Sequence, residues 1–132
     1  MGLGTSLSEE SKPATPGGQP RVRCSLAVAL DHRNHGVVIV RIRGEVDSAT
    51  APRLSAALHR QLGGGTCRLL VVDLRAVDFL GAQGIAVLDT ARQHAQAYRI
   101  GFCLIVDRAI RRILDALGLI EAFEFCDDID DE

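Results

Sequence analysis

Apolar residues fall in short blocks whose period switches between two and about 3.6, the pattern of strands alternating with helices. Cys24 to Leu30 and Val37 to Ile42 read as strands, and the polar turn Asp31-His32-Arg33-Asn34-His35-Gly36 between them predicts an antiparallel hairpin. Leu54, Ala57, Leu58 and Leu62 recur at helical spacing, so residues 50–62 should form an amphipathic helix, which Gly63-Gly64-Gly65 stops. Pro52 fits only its first turn, and Asp47, Ser48 and Thr50 are candidate caps. Cys67 to Leu74 is an apolar run, as in a strand buried on both faces. A second helix follows over residues 82–96, with Ile85, Leu88, Ala91 and Ala95 inward. Residues 100–106 predict another strand. Asp107 then caps a third helix over 109–117, with Ile110, Ile113, Leu114 and Leu117 on one face, and residues 123–126 close as a short strand.

The order β-β-α-β-α-β-α-β predicts a single α/β domain with a mostly parallel central sheet and one N-terminal antiparallel strand. Residues 1–20 hold almost nothing to bury and read as a disordered leader, with order beginning near Arg21; Asp127 to Glu132 reads as an acidic, solvated tail.

Composition narrows the function. The chain has 132 residues, the size of one domain, and a net charge of −2, which disfavours nucleic acid as a partner. No window approaches the roughly 18 apolar residues of a membrane span, and the first residues lack the pattern of a signal peptide, so the expectation is a cytoplasmic protein with no membrane association. With no Trp and one Tyr there is little to stack on a base or a sugar.

Candidate chemistry is sparse. Cys24, Cys67, Cys103 and Cys126 form no C-x-x-C pair and have no His at finger-like spacing, so no metal site is expected. No phosphate-cradling loop is present, and no cofactor is implied. His32, His35, His59 and His94 are expected on solvated faces. Asp73 and Asp78 are close in sequence and could act as paired carboxylates, but no Ser, Cys or His stands clearly beside them, so no enzyme is expected.

Three blocks carry a resemblance. Gly44-Glu45-Val46-Asp47-Ser48-Ala49-Thr50-Ala51-Pro52-Arg53-Leu54, Val77-Asp78-Phe79-Leu80-Gly81-Ala82-Gln83-Gly84-Ile85-Ala86-Val87-Leu88 and Arg111-Arg112-Ile113-Leu114-Asp115-Ala116-Leu117-Gly118-Leu119 occur in the order of the STAS family. That is the domain shared by sulphate transporters and anti-sigma factor antagonists, and the match spans residues 21–126. The resemblance implies a domain that binds an anti-sigma factor, usually a GHKL-type protein kinase, and so frees a sigma factor. It also implies a partner face at Asp47, Ser48, Thr50, Leu80, Gly81, Ala82, Gln83 and Gly84, with Leu80 and Gln83 exposed and Gly84 permitting close approach of helix and sheet. In the family the loop before the second helix reads Asp-Ser-x-Gly or Asp-Ser-Ser-Gly, and the kinase phosphorylates the residue just before the Gly. Here the matching positions are Gly81, Ala82, Gln83 and Gly84, with no hydroxyl. Other expectations within the family are a scaffold that binds another STAS protein, or a nucleotide sensor. By the resemblance a closing helix is expected after the last strand, and on this reading it is either missing or replaced by the acidic tail.

A thiol switch is one substitute for the lost phosphate switch. Cys67 and Cys103 open the strands flanking the second helix, and neighbouring strands bring such residues within the roughly 4.4–6.8 Å Cα spacing of a disulfide. Cys126 is the alternative partner.

Overall fold

The computed structural model describes residues 26–127. The leader assigned to residues 1–20, Cys24 in the first strand and the tail beyond Asp127 lie outside the described residues. Among the described residues, five strands form one sheet in the order β1 (Leu26–His32), β2 (Val37–Val46), β3 (Leu69–Leu80), β4 (Gly101–Ile105) and β5 (Glu124–Phe125). β1 is antiparallel to β2, and all other neighbours are parallel. The hairpin turn needs left-handed backbone, with His35 at φ 64° and Gly36 at φ 78°. A Cβ on Gly36 would also lie 2.7 Å from Arg68 Cγ, so glycine fits there on two counts.

The helices are α1 (Ala51–Leu62), α2 (Ala82–Ala97) and α3 (Arg108–Ala116). Their apolar stripes meet one face of the sheet. Val38, Val40, Ile42, Val46, Leu70, Val72 and Leu74 from the strands join Leu54, Leu58, Leu88, Ile110 and Leu114 in a single core. Asp107 caps α3 as expected, accepting from the Ile110 amide at 2.9 Å. Ile113 and Leu117 depart from the predicted stripe and are exposed, because only Ile110 and Leu114 of this short helix point at the sheet.

The opposite face belongs to the alternate residues of each strand. Ile39, Val71, Cys103 and Ile105 form a smaller cluster there, with Val37, Leu69 and Cys126 against it. Toward the carboxyl ends of β2 and β3 this face turns charged. Two register shifts, between Arg41 and Arg43 and between Gly44 and Glu45, carry β3 on to Leu80, well past the Leu74 at which the sequence pattern ends it.

Candidate functional site

β2 and β3 are parallel neighbours, so their carboxyl ends deliver the starts of α1 and α2 side by side. The Gly81 amide donates to Val46 O at 2.9 Å, tying the loop before α2 to the end of β2. The turn before α1 is held by side chains. The Asp47 carboxylate accepts from the amides of Ala49 and Thr50, both at 3.0 Å. The Thr50 hydroxyl accepts from the Asp47 amide at 3.0 Å and donates to Glu45 O at 2.8 Å. Asp47 and Thr50 therefore brace the turn, and neither caps α1 in the expected way; Thr50 is the N-cap residue but its side chain makes no capping bond, being spent on the strand end. Ser48 is exposed.

Gly84 is buried under this corner. A Cβ there would strike Val46 Cγ1 and lie 2.8 Å from Leu80 Cδ1. Only glycine lets the first turn of α2 sit this close to the sheet. Ala82 and Gln83 point outward, and Gln83 lines a groove of ≈ 290 Å³ between the two helices with Ser48, Pro52, Ser55, Ala86 and Thr90.

Several expected positions move. Leu80 is 5% exposed and belongs to the core, because β3 continues through it and turns its side chain toward the helices. The exposed apolar residue at this corner is Phe79, at 53%, paired with Glu45 across the strands and with its ring beside Gly81. Phe79 escaped the sequence reading because Val77 to Leu80 look like a loop once the apolar run ends at Leu74. Thr50 is likewise buried. The structure thus brings Ser48, Phe79, Ala82 and Gln83 together as surface, with Asp47, Thr50, Leu80 and Gly84 as the support beneath.

The thiols also fall differently. Cys67 packs in the helix-side core while Cys103 lies in the cluster on the other face, so the structure does not bring those two together. The register pairs Cys103 with Val71, four residues and about 13 Å along the strand from Cys67. Cys103 Sγ instead lies 2.7 Å from Cys126 Sγ. Burial pushes the Cys103 thiol well above its ordinary range, and the neighbouring Cys126 adds to the effect. Burial pushes Cys67 up as well.

Asp73 and Asp78 are not a catalytic pair: five strand residues, about 16 Å, separate them. Asp73 is buried on the sheet face that carries no helix among the described residues (the helix-free face), where Arg75 holds it with Nε at 3.0 Å and Nη2 at 2.7 Å and Arg41 Nε lies 3.7 Å away. Burial raises its pKa, but the hydrogen bonds from Arg75 outweigh that and leave the carboxyl below its usual range. His59 is not on a solvated face as expected. Its Nδ1 lies 2.9 Å from Ser55 O, its ring packs edge-on to His94 at 4.6 Å, and its Nε2 is buried without a hydrogen-bond partner among the described residues. Among the described residues no three His, Cys, Asp or Glu side chains are grouped to hold a metal ion, and no helix is long and apolar enough to cross a membrane.

Comparison with known proteins agrees with this architecture. The sequence profile of the STAS domain matches residues 30–132. The anti-sigma-F factor antagonist RsfB of Mycobacterium tuberculosis is 33% identical over 102 residues, which cover 75% of this chain and 80% of the relative. The crystal structure of an anti-sigma factor antagonist from Mycobacterium paratuberculosis superposes with a TM-score of 0.69 at 29% identity, over 80% of this chain and 89% of that one. The Bacillus cell fate determinant SpoIIAA in its phosphorylated form superposes with a TM-score of 0.64 over 79% of this chain and 93% of that one; at 16% identity this is a likeness of fold.

Proposed function

Because this chain belongs to the STAS domain family, we propose that it is an anti-sigma factor antagonist, a binding protein and not an enzyme, which captures a GHKL-type kinase in the cytoplasm and so releases that kinase's sigma factor. The observation that carries the reading is the corner where α1 and α2 begin: an exposed patch of Ser48, Phe79, Ala82 and Gln83 standing on buried, hydrogen-bonded support. The identity of relatives such as RsfB supports it.

Gln83 stands where the family carries its phosphoacceptor. A phosphate there would bring a charge of about −2 into an interface, and the amide forecloses that step. The complex is then insensitive to ATP at this loop. Titration of the reduced full chain against the host's anti-sigma kinases, with and without ATP, tests this. Binding that persists with ATP is expected, and Gln83→Ser should restore phosphorylation and release. Failure to bind any anti-sigma factor overturns the antagonist role. A phosphate on Ser48, Ser55 or Thr90 that abolishes binding overturns the absence of phospho-control.

Control by thiols is the finer part of the proposal, and the 2.7 Å approach of Cys103 and Cys126 supports that pair in place of Cys67 and Cys103. A peroxide oxidises the half-buried Cys126 thiol to a sulfenic acid and leaves as water. The Cys103 sulfur then attacks, forming the S–S bond and releasing a second water; both sulfurs are oxidised and the peroxide is reduced. The number of alkylatable thiols should fall from four to two in the wild type and stay at three in Cys126→Ser. Four alkylatable thiols after peroxide would sink it.

A further inference from the structure

The two edges of the sheet are built differently. β5 closes one edge with two residues, Glu124 and Phe125, too short a strand to template another. β1 forms the other edge with seven residues, Leu26–His32, and among the described residues no strand lies beyond it. It has none of the devices that keep an edge single: no proline, no lysine and no break in its register with β2. Leu30 on this strand is 44% exposed, and Ala27 and Ala29 are exposed as well.

Strand register decides which backbone groups face outward. The Arg33 amide donates to Val37 O at 2.7 Å, so Arg33 and Val37 are a hydrogen-bonded pair of the antiparallel ladder. Such pairs alternate along the strands, which makes Asp31 with Ile39, Ala29 with Arg41 and Ala27 with Arg43 hydrogen-bonded pairs too. The amides and carbonyls of Leu26, Val28, Leu30 and His32 therefore point away from β2. Leu26 and Val28 pack in the helix-side core, and the period of two puts Leu30 on the same face.

We propose that β1 pairs antiparallel with β1 of a second copy of this chain, about a two-fold axis at Ala29, so that the two sheets continue into one another. In this register Val28 meets the second copy's Leu30 and Leu26 meets its His32, and the reverse. All the outward residues of both strands are thereby matched, each pair exchanging two hydrogen bonds. A slip of two residues either way leaves at least one of Leu26, Val28, Leu30 and His32 without a counterpart on β1. On the helix side Leu30 packs on the second copy's Val28, which takes an exposed leucine out of water. On the other face the two Ala29 residues meet and Asp31 stands opposite Ala27, so no like charges oppose. Asp31, the one carboxylate of β1, is already engaged by Arg33 and Arg41. A peptide of unrelated sequence would satisfy the backbone but lacks this two-fold match of side chains, which is what an interface between identical copies requires. Because the strands run antiparallel, the corners where α1 and α2 begin lie at opposite ends of the dimer, and the inference is independent of the proposed function. Strand pairs of this length belong to the small interfaces, below about 1,200 Å² in total, so the dimer forms at high concentration.

Sedimentation of the full chain tests this, with a monomer expected at about 1 μM and a dimer growing in toward about 1 mM. Leu30→Pro removes an outward amide and none that β2 uses, so it should keep the wild-type circular dichroism and stay monomeric throughout. Two exposed alanines keep the test independent of that variant's folding. Ala29→Cys sets two thiols across the axis at a Cα spacing of about 4.5 Å, within disulfide range, and mild oxidation at high concentration should link the copies through residue 29. Ala27→Cys lies four residues, about 13 Å, from its own counterpart and should not link. Linked peptides are identified by mass spectrometry. A chain that stays monomeric to about 1 mM, or one that links Ala27→Cys as readily as Ala29→Cys, overturns the proposal. Slow hydrogen exchange of the Val28 and Leu30 amides that does not change with concentration also overturns it, since the chain's own residues then cover the edge.

Discussion

Gly84→Ala is the sharpest test of how the corner at the starts of α1 and α2 is built. The new methyl would strike Val46 Cγ1, with Leu80 Cδ1 at 2.8 Å and Val46 Cβ at 3.1 Å, against an optimum of about 3.5–4.0 Å for carbon pairs. Leu80 can yield by rotating its far end. Val46 is β-branched, stiff and 0% exposed, so β2 or the first turn of α2 must shift. Overpacking of this kind costs about 1–3 kcal/mol. Alanine in place of glycine in a helix returns about 0.5–1 kcal/mol. The net expectation is a loss of about 1–2 kcal/mol, a fall in Tm of roughly 4–8 °C per kcal/mol for a domain near this size. Urea unfolding of wild type, Gly84→Ala, Val46→Ala and the double variant measures it. With Val46 shortened, the same Gly84→Ala change should be neutral or mildly stabilising, since the stiff obstacle is gone and the helical gain remains. A single variant as stable as wild type, or an equal penalty in both backgrounds, refutes the close-approach argument.

Phe79→Ala should leave stability within about 0.5 kcal/mol, the side chain being largely exposed, yet weaken binding of the anti-sigma factor tenfold or more in a titration, as an aromatic anchor would. Asp73 makes stability fall in acid. Its folded pKa is depressed, so its contribution is complete above the unfolded value of about 3.9 and is lost as pH drops through the folded value. Urea midpoints measured from neutral pH to below 3.9 should drop more steeply for wild type than for Asp73→Asn. Gly36→Ala puts a Cβ at φ 78° and 2.7 Å from Arg68 Cγ, so a loss of at least about 1 kcal/mol is expected by thermal unfolding.

What the sequence reveals and what it hides divide along physical lines. The stripes of α1 and α2 are legible because helices facing one sheet must repeat their apolar residues near 3.6, and Leu54, Leu58, Leu88 and Ala91 are buried where the period puts them. β3 is legible only to Leu74. Beyond it the strand carries Arg75 and Asp78 outward, and polar residues on the helix-free face look like a loop when the face is unknown. Leu80 and Phe79 exchange roles for that reason. The thiol pairing is hidden for another. Cys126 meets Cys103 because a two-residue edge strand lands beside β4 in one register, and no periodicity in two residues can announce it.

On the proposed function, regulation at the corner where α1 and α2 begin is separable from folding for the same reason that the corner is legible. Its shape depends on groups that cannot vary freely: a glycine beneath α2, an Asp and a Thr hydroxyl spent on backbone, and a Gly81 amide bonded to β2. Gln83 depends on none of them, being an exposed helix residue whose replacement moves no buried atom. A hydroxyl at that position and an amide at that position therefore give the same fold and the same groove, but only the hydroxyl can receive a phosphate. Gln83→Ser should accordingly match wild type in thermal stability to within about 0.5 kcal/mol, while changing the response of partner binding to ATP from none to release. A large stability change would mean that Gln83 is part of the support, and the separation of fold from switch would fail.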